Sequence, residues 1–309
     1  MPINWTKLIR RKFVGSFPLW NFVEYALLRA GMALINFFPA RVSTWASRRI
    51  GDIIFLILPG RRKVAISNLT IAFGNTKSDR EKTSLALESF RNLATCFMEF
   101  SRIPKFLKVA ESRIHFKGTE HMREARKRGR GLILIMSHLG PWEYLGFLAH
   151  HENYIGTILG RPIRNPYIYK WFKSLRELMG LKYSDKDGSP KVFFSELRQN
   201  HGLAIAIDQW AGNEGIWIDF FGTPTSTTAI PARIAKKTGC TLLPGYCIRV
   251  ASGKYEIHIE PGIIPVKDDP DWVENATKQL NRLLEEKIRA FPEQWTWTHK
   301  RWKNKRHIR

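Results

Sequence analysis

The sequence predicts an α/β protein whose mixed, mainly parallel sheet is flanked by helices and follows a helical N-terminal region. Two patterns support this prediction. Apolar residues recur at helical spacing through residues 1–105, and short apolar runs alternate with helical segments from about residue 112 onwards. We therefore expect a helical N-terminal region at residues 1–105 and an α/β region at residues 106–309.

The N-terminal region contains one long apolar segment, WNFVEYALLRAGMALINFF (Trp20 to Phe38), in which only Glu24 and Arg29 are charged. Its 19 residues almost suffice to span a bilayer, which takes roughly 20 apolar residues, but two charges inside a span are costly. Basic residues flank the segment, which favours a helix lying in an anionic membrane surface or dipping into it. A buried core helix is the alternative. The basic start is too long for a cleavable signal peptide, and no small-residue cleavage site follows it.

Two later segments complete the helical region. DIIFLILPG ends in a Pro-Gly break, and SDREKTSLALESFRNLATCFMEF begins with Ser78, a residue type that caps helix N-termini.

The α/β region is predicted from six apolar runs with helical segments between them. The predicted antiparallel hairpin lies near residues 241–260, and the other strands are expected to pair mostly in parallel. The strand candidates are RIHFKG, GLILIMS, YIGTILG, LAIAIDQ, CTLLPGYCIRV and KYEIHIEPG, and the helix candidates lie near 119–128, 142–151, 166–179, 189–200, 227–238 and 271–290.

Charge and cysteine content narrow the function. The chain has 50 Lys and Arg against 27 Asp and Glu, a net charge of +23, which favours polyanionic partners such as nucleic acid, anionic lipid or an acidic protein. No RNA-recognition, helix-turn-helix or zinc-finger pattern is present, so nucleic-acid binding is the remote alternative. Cys96, Cys240 and Cys247 form no CxxC pair, which argues against a disulfide framework or a zinc site and favours a reducing compartment.

Two histidines precede a glutamate by five positions. His115 alternates with apolar residues in a predicted strand, and nothing directs it towards Glu120. His138 directly follows the apolar run at 132–136, where sites form in open α/β sheets, and Gly140 and Pro141 suit a tight turn into a helix. On such a turn His138 can meet Glu143. The alternatives are a turn histidine bonded to backbone and a glutamate that complements the helix N-terminus.

SHLGPWE, residues 137–143, resembles the H-x4-D/E motif of glycerolipid-type lysophospholipid acyltransferases. Nearly the whole chain is similar to the lipid A (Kdo-dependent) late acyltransferases of Gram-negative bacteria and the related mycobacterial phosphatidylinositol mannoside acyltransferases. The similar stretches, in order, are RRKVAISNLTIAF, SHLGPWE, GRPIRNPYI, LRELMG, AIDQ, FFGTPTSTT, GCTLLPGYCIR and FPEQWTWTHKRWK.

This resemblance implies transfer of a fatty acyl chain from a thioester to a lipid hydroxyl, most simply that of a lipid A precursor, at the cytoplasmic face of the inner membrane. In the family pattern His138 is the general base and Glu143 holds its imidazole in tautomer and orientation. A lipid hydroxyl becomes a good nucleophile only as its proton is removed, and imidazole accepts protons near neutral pH.

The resemblance also implies a set of substrate-binding residues. Arg161 matches a position linked to acceptor or donor phosphate and is a candidate for stabilising the oxyanion, with Arg164 as a second candidate. The remaining candidates are Asn165, Asp208, Gln209, Phe221, Gly222 and Thr227. Asp208 and Gln209 end a strand and alternatively cap a loop, and FFGTPTS alternatively serves packing and a turn. Arg176 is interpreted as a solvated helix charge.

The expected partners are acyl carrier protein or acyl-CoA as donor, a membrane lipid as acceptor and the anionic membrane surface itself. We expect no nucleic-acid partner, no metal and no cofactor. The His and Glu motif does not distinguish a lipid A precursor from another glycolipid, an aminolipid or a lysophospholipid. FPEQWTWTHKRWK is interpreted as a docked C-terminal segment whose last basic residues face phosphates.

Overall fold

The computed structural model describes residues 18–160, 163–185 and 190–303. Its main feature is a seven-stranded sheet in the order β1-β9-β8-β2-β5-β3-β4, with a separate hairpin formed by β6 and β7. The strands are β1 Ile114–Lys117, β2 Leu132–Met136, β3 Gly156–Gly160, β4 Leu181–Asp185, β5 Gly202–Ala206, β6 Ile216–Phe220, β7 Thr223–Thr227, β8 Thr241–Ala251 and β9 Lys254–Ile259.

Helices precede the sheet and connect its strands. Short 3-10 helices include Trp142–Leu145 and Pro292–Gln294. The α-helices are α1 Pro18–Phe37, α2 Ala40–Ile57, α3 Pro59–Phe73, α4 Asp79–Ser101, α5 Ile103–Phe106, α6 Ala110–Arg113, α7 Thr119–Lys127, α8 Gly146–His151, α9 Pro166–Glu177, α10 Pro190–Arg198, α11 Ile230–Thr238 and α12 Trp272–Ala290.

Strand pairing confirms the predicted mixed, mainly parallel sheet. In the main sheet β1 pairs with β9, β2 with β5 and β8, and β3 with β4 and β5, all in parallel. Strands β8 and β9 form the antiparallel hairpin expected near residues 241–260. Two further elements were absent from the prediction, namely strand β4 and the β6–β7 hairpin.

The sheet has one apolar core on each face. Along β2, Ile133 and Ile135 pack into one core, while Leu132, Leu134 and Met136 pack into the other, as the two-residue period of a strand requires. The first core also includes side chains from α2, α3, α4, α10, α11 and α12. The second includes side chains from α7, α8 and α9. Helix α4 contributes to both cores, so it ties the N-terminal helices to the sheet.

Helix α4 begins as its sequence predicts. The Ser78 hydroxyl accepts a hydrogen bond from the backbone N–H of Glu81, and the Glu81 carboxylate accepts one in return from the backbone N–H of Ser78. This reciprocal pair satisfies two donors that a helix otherwise leaves free at its first turn. The long helix therefore has a fixed starting point.

Helix α2 packs with a face of small side chains turned inward against α4. Ser43, Ser47 and Gly51 are buried, and a Cβ on Gly51 would lie only 2.5 Å from Cα of Arg91 in α4. This close approach turns the apolar face of α2 outward, where Val42, Trp45, Ile53, Leu56 and Ile57 are exposed. Helix α1 likewise exposes Leu19, Trp20, Phe22, Leu27, Leu34 and Phe37. Within the described ranges, no helix combines the length and hydropathy needed to cross a membrane.

Candidate active site

Strand register brings His138 and Asp208 together. Strands β2 and β5 pair in parallel with Met136 opposite Ala206, so His138 and Asp208 each lie two residues beyond a matched pair. The carboxyl ends of parallel strands share one edge of a sheet, which is where α/β proteins build their sites. The two side chains therefore meet, although 70 residues separate them in the sequence.

Asp208 holds both the ring and the backbone of His138. One carboxylate oxygen is 2.8 Å from Nδ1 of His138, and the other accepts hydrogen bonds from the His138 backbone N–H at 2.7 Å and from Nε1 of Trp295 at 2.9 Å. A carboxylate only accepts hydrogen bonds, so the neutral imidazole carries its proton on Nδ1. Its Nε2 then has a free lone pair, as a general base requires.

The pair is electrostatically coupled. Burial lowers the pKa of His138, but the charge and hydrogen bond of Asp208, with a smaller contribution from Glu143, raise that pKa above its usual value. Burial raises the pKa of Asp208, but His138 and the N–H donors outweigh it and bring that pKa to about 2. Asp208 is therefore ionised at any pH where the protein works, and it favours a proton on His138.

The structure corrects the predicted role of Glu143. Its carboxylate accepts two hydrogen bonds from Arg176 of α9, at 2.9 Å from Nε and 2.6 Å from an Nη, while Asp208 occupies Nδ1 of His138. The interpretation of Arg176 as a solvated helix charge is therefore also wrong. The reason is geometric, since Asp208 is aligned with His138 by strand pairing and Glu143 faces α9 from its 3-10 helix. Glu143 acts on His138 through its charge.

Gln209 and Trp142 both lie beside the imidazole of His138. The Gln209 amide nitrogen is 3.5 Å from Nε2 of His138, and the Trp142 ring packs edge-on at 5.0 Å between ring centroids. Gln209 is exposed, so its amide is available to a bound molecule. The substrate contact predicted for Gln209 stays a prediction, whereas the carboxylate of Asp208, also predicted to bind substrate, contacts His138 instead.

The side chain of Asn165 makes structural hydrogen bonds. Its side-chain oxygen accepts hydrogen bonds from Tyr167 N and Ile168 N and caps α9, while its Nδ2 donates to Asn21 O and the Glu24 carboxylate in α1. The side chain is thus fully engaged in joining α1 to α9, which differs from the predicted substrate contact. Arg164 is exposed in the turn before α9, and Arg161 lies outside the described residues.

The FFGTPTSTT segment forms the turn and packing that were its alternative interpretation. Phe221 and Gly222 have φ angles of 52° and 67° at the tip of the β6–β7 hairpin. Phe221 is buried, and its N–H donates to Glu285 of α12. Thr227 is fully buried, and its hydroxyl oxygen accepts from Arg301 and Asn281. Phe221 and Thr227 thus make internal contacts in place of the predicted substrate contacts, whereas Gly222 is exposed and its substrate contact stays a prediction.

The C-terminal segment braces the turn that carries His138, a role that its sequence did not reveal. The Thr296 N–H and hydroxyl both donate to the carbonyl of His138 at 3.1 Å, and the Gly140 N–H donates to the Gln294 carbonyl at 2.9 Å. Gly140 has a φ of 58°, and a Cβ there would lie 2.1 Å from the Cys247 carbonyl oxygen. Only glycine fits between these layers.

The second His and Glu pair remains apart. His115 is exposed on edge strand β1, and Glu120 lies in the first turn of α7. No hydrogen bond or ion pair joins them among the contacts of the described residues. The same spacing thus yields no site when the histidine does not follow a central strand.

Comparison with known proteins identifies the family of this chain. A family model for "Bacterial lipid A biosynthesis acyltransferase" matches residues 18–304. The lipid A biosynthesis acyltransferase of Haemophilus influenzae is 24% identical over 269 residues, which cover 86% of this chain and 83% of the relative. The lipid A biosynthesis lauroyltransferase of Escherichia coli is 25% identical, with 83% of each chain covered. The phosphatidylinositol mannoside acyltransferase of Mycobacterium tuberculosis (strain H37Rv) is 25% identical over 60% of this chain and 58% of its own. The chain therefore belongs to the bacterial lipid A biosynthesis acyltransferase family.

Proposed function

We propose that this protein transfers a fatty acyl group from a thioester to a hydroxyl of a lipid A precursor, with His138 as the general base. Family membership supports acyl transfer to a lipid acceptor. The observation that carries the mechanism is the Asp208 carboxylate on Nδ1 of His138, which directs a free lone pair at Nε2 towards the carboxyl edge of the sheet.

The reaction follows from this arrangement. Nε2 of His138 takes the proton from the acceptor hydroxyl as its oxygen attacks the thioester carbonyl carbon. The tetrahedral intermediate then collapses, the C–S bond breaks, and the proton moves from Nε2 to the departing thiolate. The net result is an ester of the lipid and a free thiol, and His138 returns to its neutral form.

Gln209 and Asp208 have separate tasks in this mechanism. Asp208 fixes the tautomer and stabilises the imidazolium that forms when His138 takes the proton. The Gln209 amide lies where the acceptor hydroxyl must approach Nε2, so it orients that hydroxyl or donates to the oxyanion. The Glu143–Arg176 pair fixes the 3-10 helix behind the catalytic turn against α9. Arg161 keeps its proposed role at a substrate phosphate on the basis of its motif alone.

The acceptor has a second candidate. The match to phosphatidylinositol mannoside acyltransferases raises a glycolipid acceptor other than lipid A. Mass spectrometry of lipid A from a deletion strain and its complemented counterpart distinguishes the two. Loss of one acyl chain from lipid A in the deletion strain supports the first proposal, and unchanged lipid A contradicts it. The donor is proposed to be acyl carrier protein or acyl-CoA, and purified forms of both are tested in the same assay.

We also propose that the protein works at the cytoplasmic face of the inner membrane. Its apolar face combines α1 and the outward side of α2, where Trp20, Trp45 and Leu56 are each more than half exposed at 68%, 64% and 66%. Arginines at positions 41, 48 and 49 adjoin this face. Exposed apolar surface next to basic residues is the composition of a helix pair that lies in an anionic lipid interface.

The base assignment is tested by a matched pair of histidine variants. We expect His138→Ala to abolish acyl transfer from a thioester donor to purified lipid acceptor while the melting temperature changes little. His115→Ala has the same spacing to a glutamate and should keep near-normal transfer. Wild-type transfer by a folded His138→Ala protein contradicts the mechanism. Loss of transfer in folded His115→Ala shows that the other pair is the working one.

A further inference from the structure

Arg301 is a fully buried arginine beside the proposed active site. One Nη donates to the backbone carbonyls of Gln209 and Ser226 at 3.3 and 2.5 Å, and the other donates to the Thr227 hydroxyl at 2.6 Å. The guanidinium also lies 5.0 Å from the ring centroid of Phe220. Arg301 therefore connects the residue after Asp208 to the β6–β7 hairpin.

This arginine has no carboxylate partner. Among the described residues it forms no ion pair, and its Nε has no hydrogen-bond acceptor. The partly buried Arg249 has such a partner, because its guanidinium donates to the Glu99 carboxylate at 2.6 and 2.5 Å. A buried charge without a partner costs stability, so a neutral side chain of similar size would serve the packing around Arg301 better.

We propose that Arg301 is the buried counter-charge of Asp208, and that it shares with His138 the balancing of that carboxylate. The proposal rests on the proposed function, since it assigns Arg301 to the same His138 base. Asp208 is ionised and almost wholly buried, and its neighbour Gln209 accepts a hydrogen bond from Arg301. Asp208 is the anion whose charge acts on Arg301. Because Arg301 supplies positive charge from this side, a proton on His138 is not the only charge that balances Asp208.

We assign the balancing of the Asp208 charge to Arg301 because Glu143 is paired and His299 is neutral. Glu143 adds negative charge near His138 but is itself balanced by Arg176. Burial lowers the pKa of His299 to about 4, so His299 is neutral at working pH. Burial also lowers the pKa of Arg301, to about 10, which leaves it charged. Among the described residues, the charged or titratable groups around His138 and Asp208 are Glu143, Arg176, His299 and Arg301, and Lys303 acts on His299.

The test removes the charge and follows the pH dependence of kcat/KM. In Arg301→Met, Asp208 has only His138 to balance it, so His138 holds its proton to higher pH. We expect the acid limb of the profile to move up by about one pH unit, with about tenfold less activity on that limb and recovery at alkaline pH. Arg301→Lys keeps a positive charge but lacks the planar guanidinium, so the acid limb should move less than it does in Arg301→Met.

Arg289→Met is the matched control. Arg289 is an exposed arginine over the neighbouring Phe221 ring, at 4.7 Å from its centroid, and its removal should leave the limb in place. A direct readout is the titration of the His138 imidazole by NMR in the folded wild-type and Arg301→Lys proteins, which does not depend on turnover or on the folding of Arg301→Met.

Three outcomes are decisive. An upward move of the limb and of the imidazole titration in the Arg301 variants, without one in Arg289→Met, supports the proposal. Lower activity with an unmoved limb and titration overturns it and makes Arg301 a packing residue. Full activity in His138→Ala would defeat the proposed function itself, which separates the two failures.

Discussion

Asp208 uses one carboxylate oxygen for the ring of His138 and the other for its backbone. The imidazole is therefore fixed relative to the chain that carries it, and rotation about the side chain would break the first bond without the second. Trp295 donates to the same carboxylate and shields it from water. A base held in this way needs no rearrangement when the acceptor hydroxyl arrives.

Exchanging the two carboxylates tests which of them serves His138. Asp208→Asn keeps the shape but places an amide against Nδ1, so we expect acyl transfer to fall on the order of 10³-fold or more. Glu143→Gln weakens the bond to Arg176 and removes a more distant charge, so its loss should be smaller. The measurement is kcat/KM with the melting temperature of each variant. If Glu143→Gln lost more acyl transfer than Asp208→Asn, Glu143 would be the residue that orients His138, as its motif implies.

The coupling also predicts how stability depends on pH. The pKa of His138 is raised on folding, so the stability that it contributes is complete below its unfolded pKa and is lost as pH rises through the folded value. The lowered pKa of Asp208, about 2, contributes stability that is complete above its unfolded pKa and is lost progressively as pH falls through the folded value. We expect the melting temperature to fall above neutral pH in wild type and to fall less in His138→Ala. The same pH dependence of the melting temperature in both proteins would contradict the electrostatic coupling of His138 and Asp208.

The sequence places His138 at the carboxyl edge of the sheet but does not reveal its partner, and its role as the base stays a prediction. The strand-then-turn context of SHLGPWE separates it from His115, because a turn after a central strand lies at that edge. Asp208 follows its own strand by the same two residues as His138 follows β2, and this equal offset was a usable signal. Converting it into a contact requires knowing that β2 and β5 are neighbours, and strand order is a long-range property that local patterns do not contain.

At the scale of elements, the crossing of α2 and α4 depends on the missing side chain of Gly51. Alanine favours a helix over glycine by about 1 kcal/mol, yet a Cβ at Gly51 would press into the α4 backbone at 2.5 Å. We expect Gly51→Ala to lower the melting temperature. Gly31→Ala in α1 is the matched control, since nothing lies within 4 Å of its Cβ, and it should be neutral or stabilising. An equal change in melting temperature for both variants would mean that α2 can move away from α4 freely.

The elements that the sequence missed share a physical cause. Strand β4, LKYSD, is short and polar, and the β6–β7 hairpin turns through Phe221, a bulky residue at positive φ. Strand β4 carries no apolar run. Strand β6, IWIDF, does carry one, but it is joined to the polar β7, TPTST, without the Asn-Gly turn that identifies a strand pair. The helix expected at 142–151 divides into a 3-10 helix and α8, and Gly146 at this junction fits closely against Met179.

Across the whole molecule, the N-terminal helices and the sheet share a buried polar network. Glu99 of α4 accepts hydrogen bonds from Arg249 of β8 and Tyr255 of β9, and Arg249 also donates to Asn92. Breaking a buried pair strands the remaining charge at a cost of about 3–5 kcal/mol. The helices that carry the exposed apolar face are thus rigidly attached to the domain that carries His138.

Membrane binding is predicted to depend on both outward faces. Introducing glutamate at Trp45 and Ile53 places charge in the lipid interface, so we expect loss of binding to vesicles containing anionic lipid, measured by flotation. Glutamate at Ile264 and Val266, which are also exposed apolar residues, is the control and should bind normally. Deletion of residues 1–40 should increase the soluble fraction. Release of the intact protein by high salt alone would show that the attachment is purely electrostatic.

The brace formed by residues 294–301 has a consequence for the timing of activity. Proteins fold progressively from the N-terminus as they are synthesised. All strands of the sheet therefore leave the ribosome before Trp295 reaches Asp208 and before Thr296 reaches the carbonyl of His138. A nascent chain can hold a finished sheet and still lack the contacts that fix its base. The base thus becomes fixed only after residues 294–301 have been synthesised and have docked beside it.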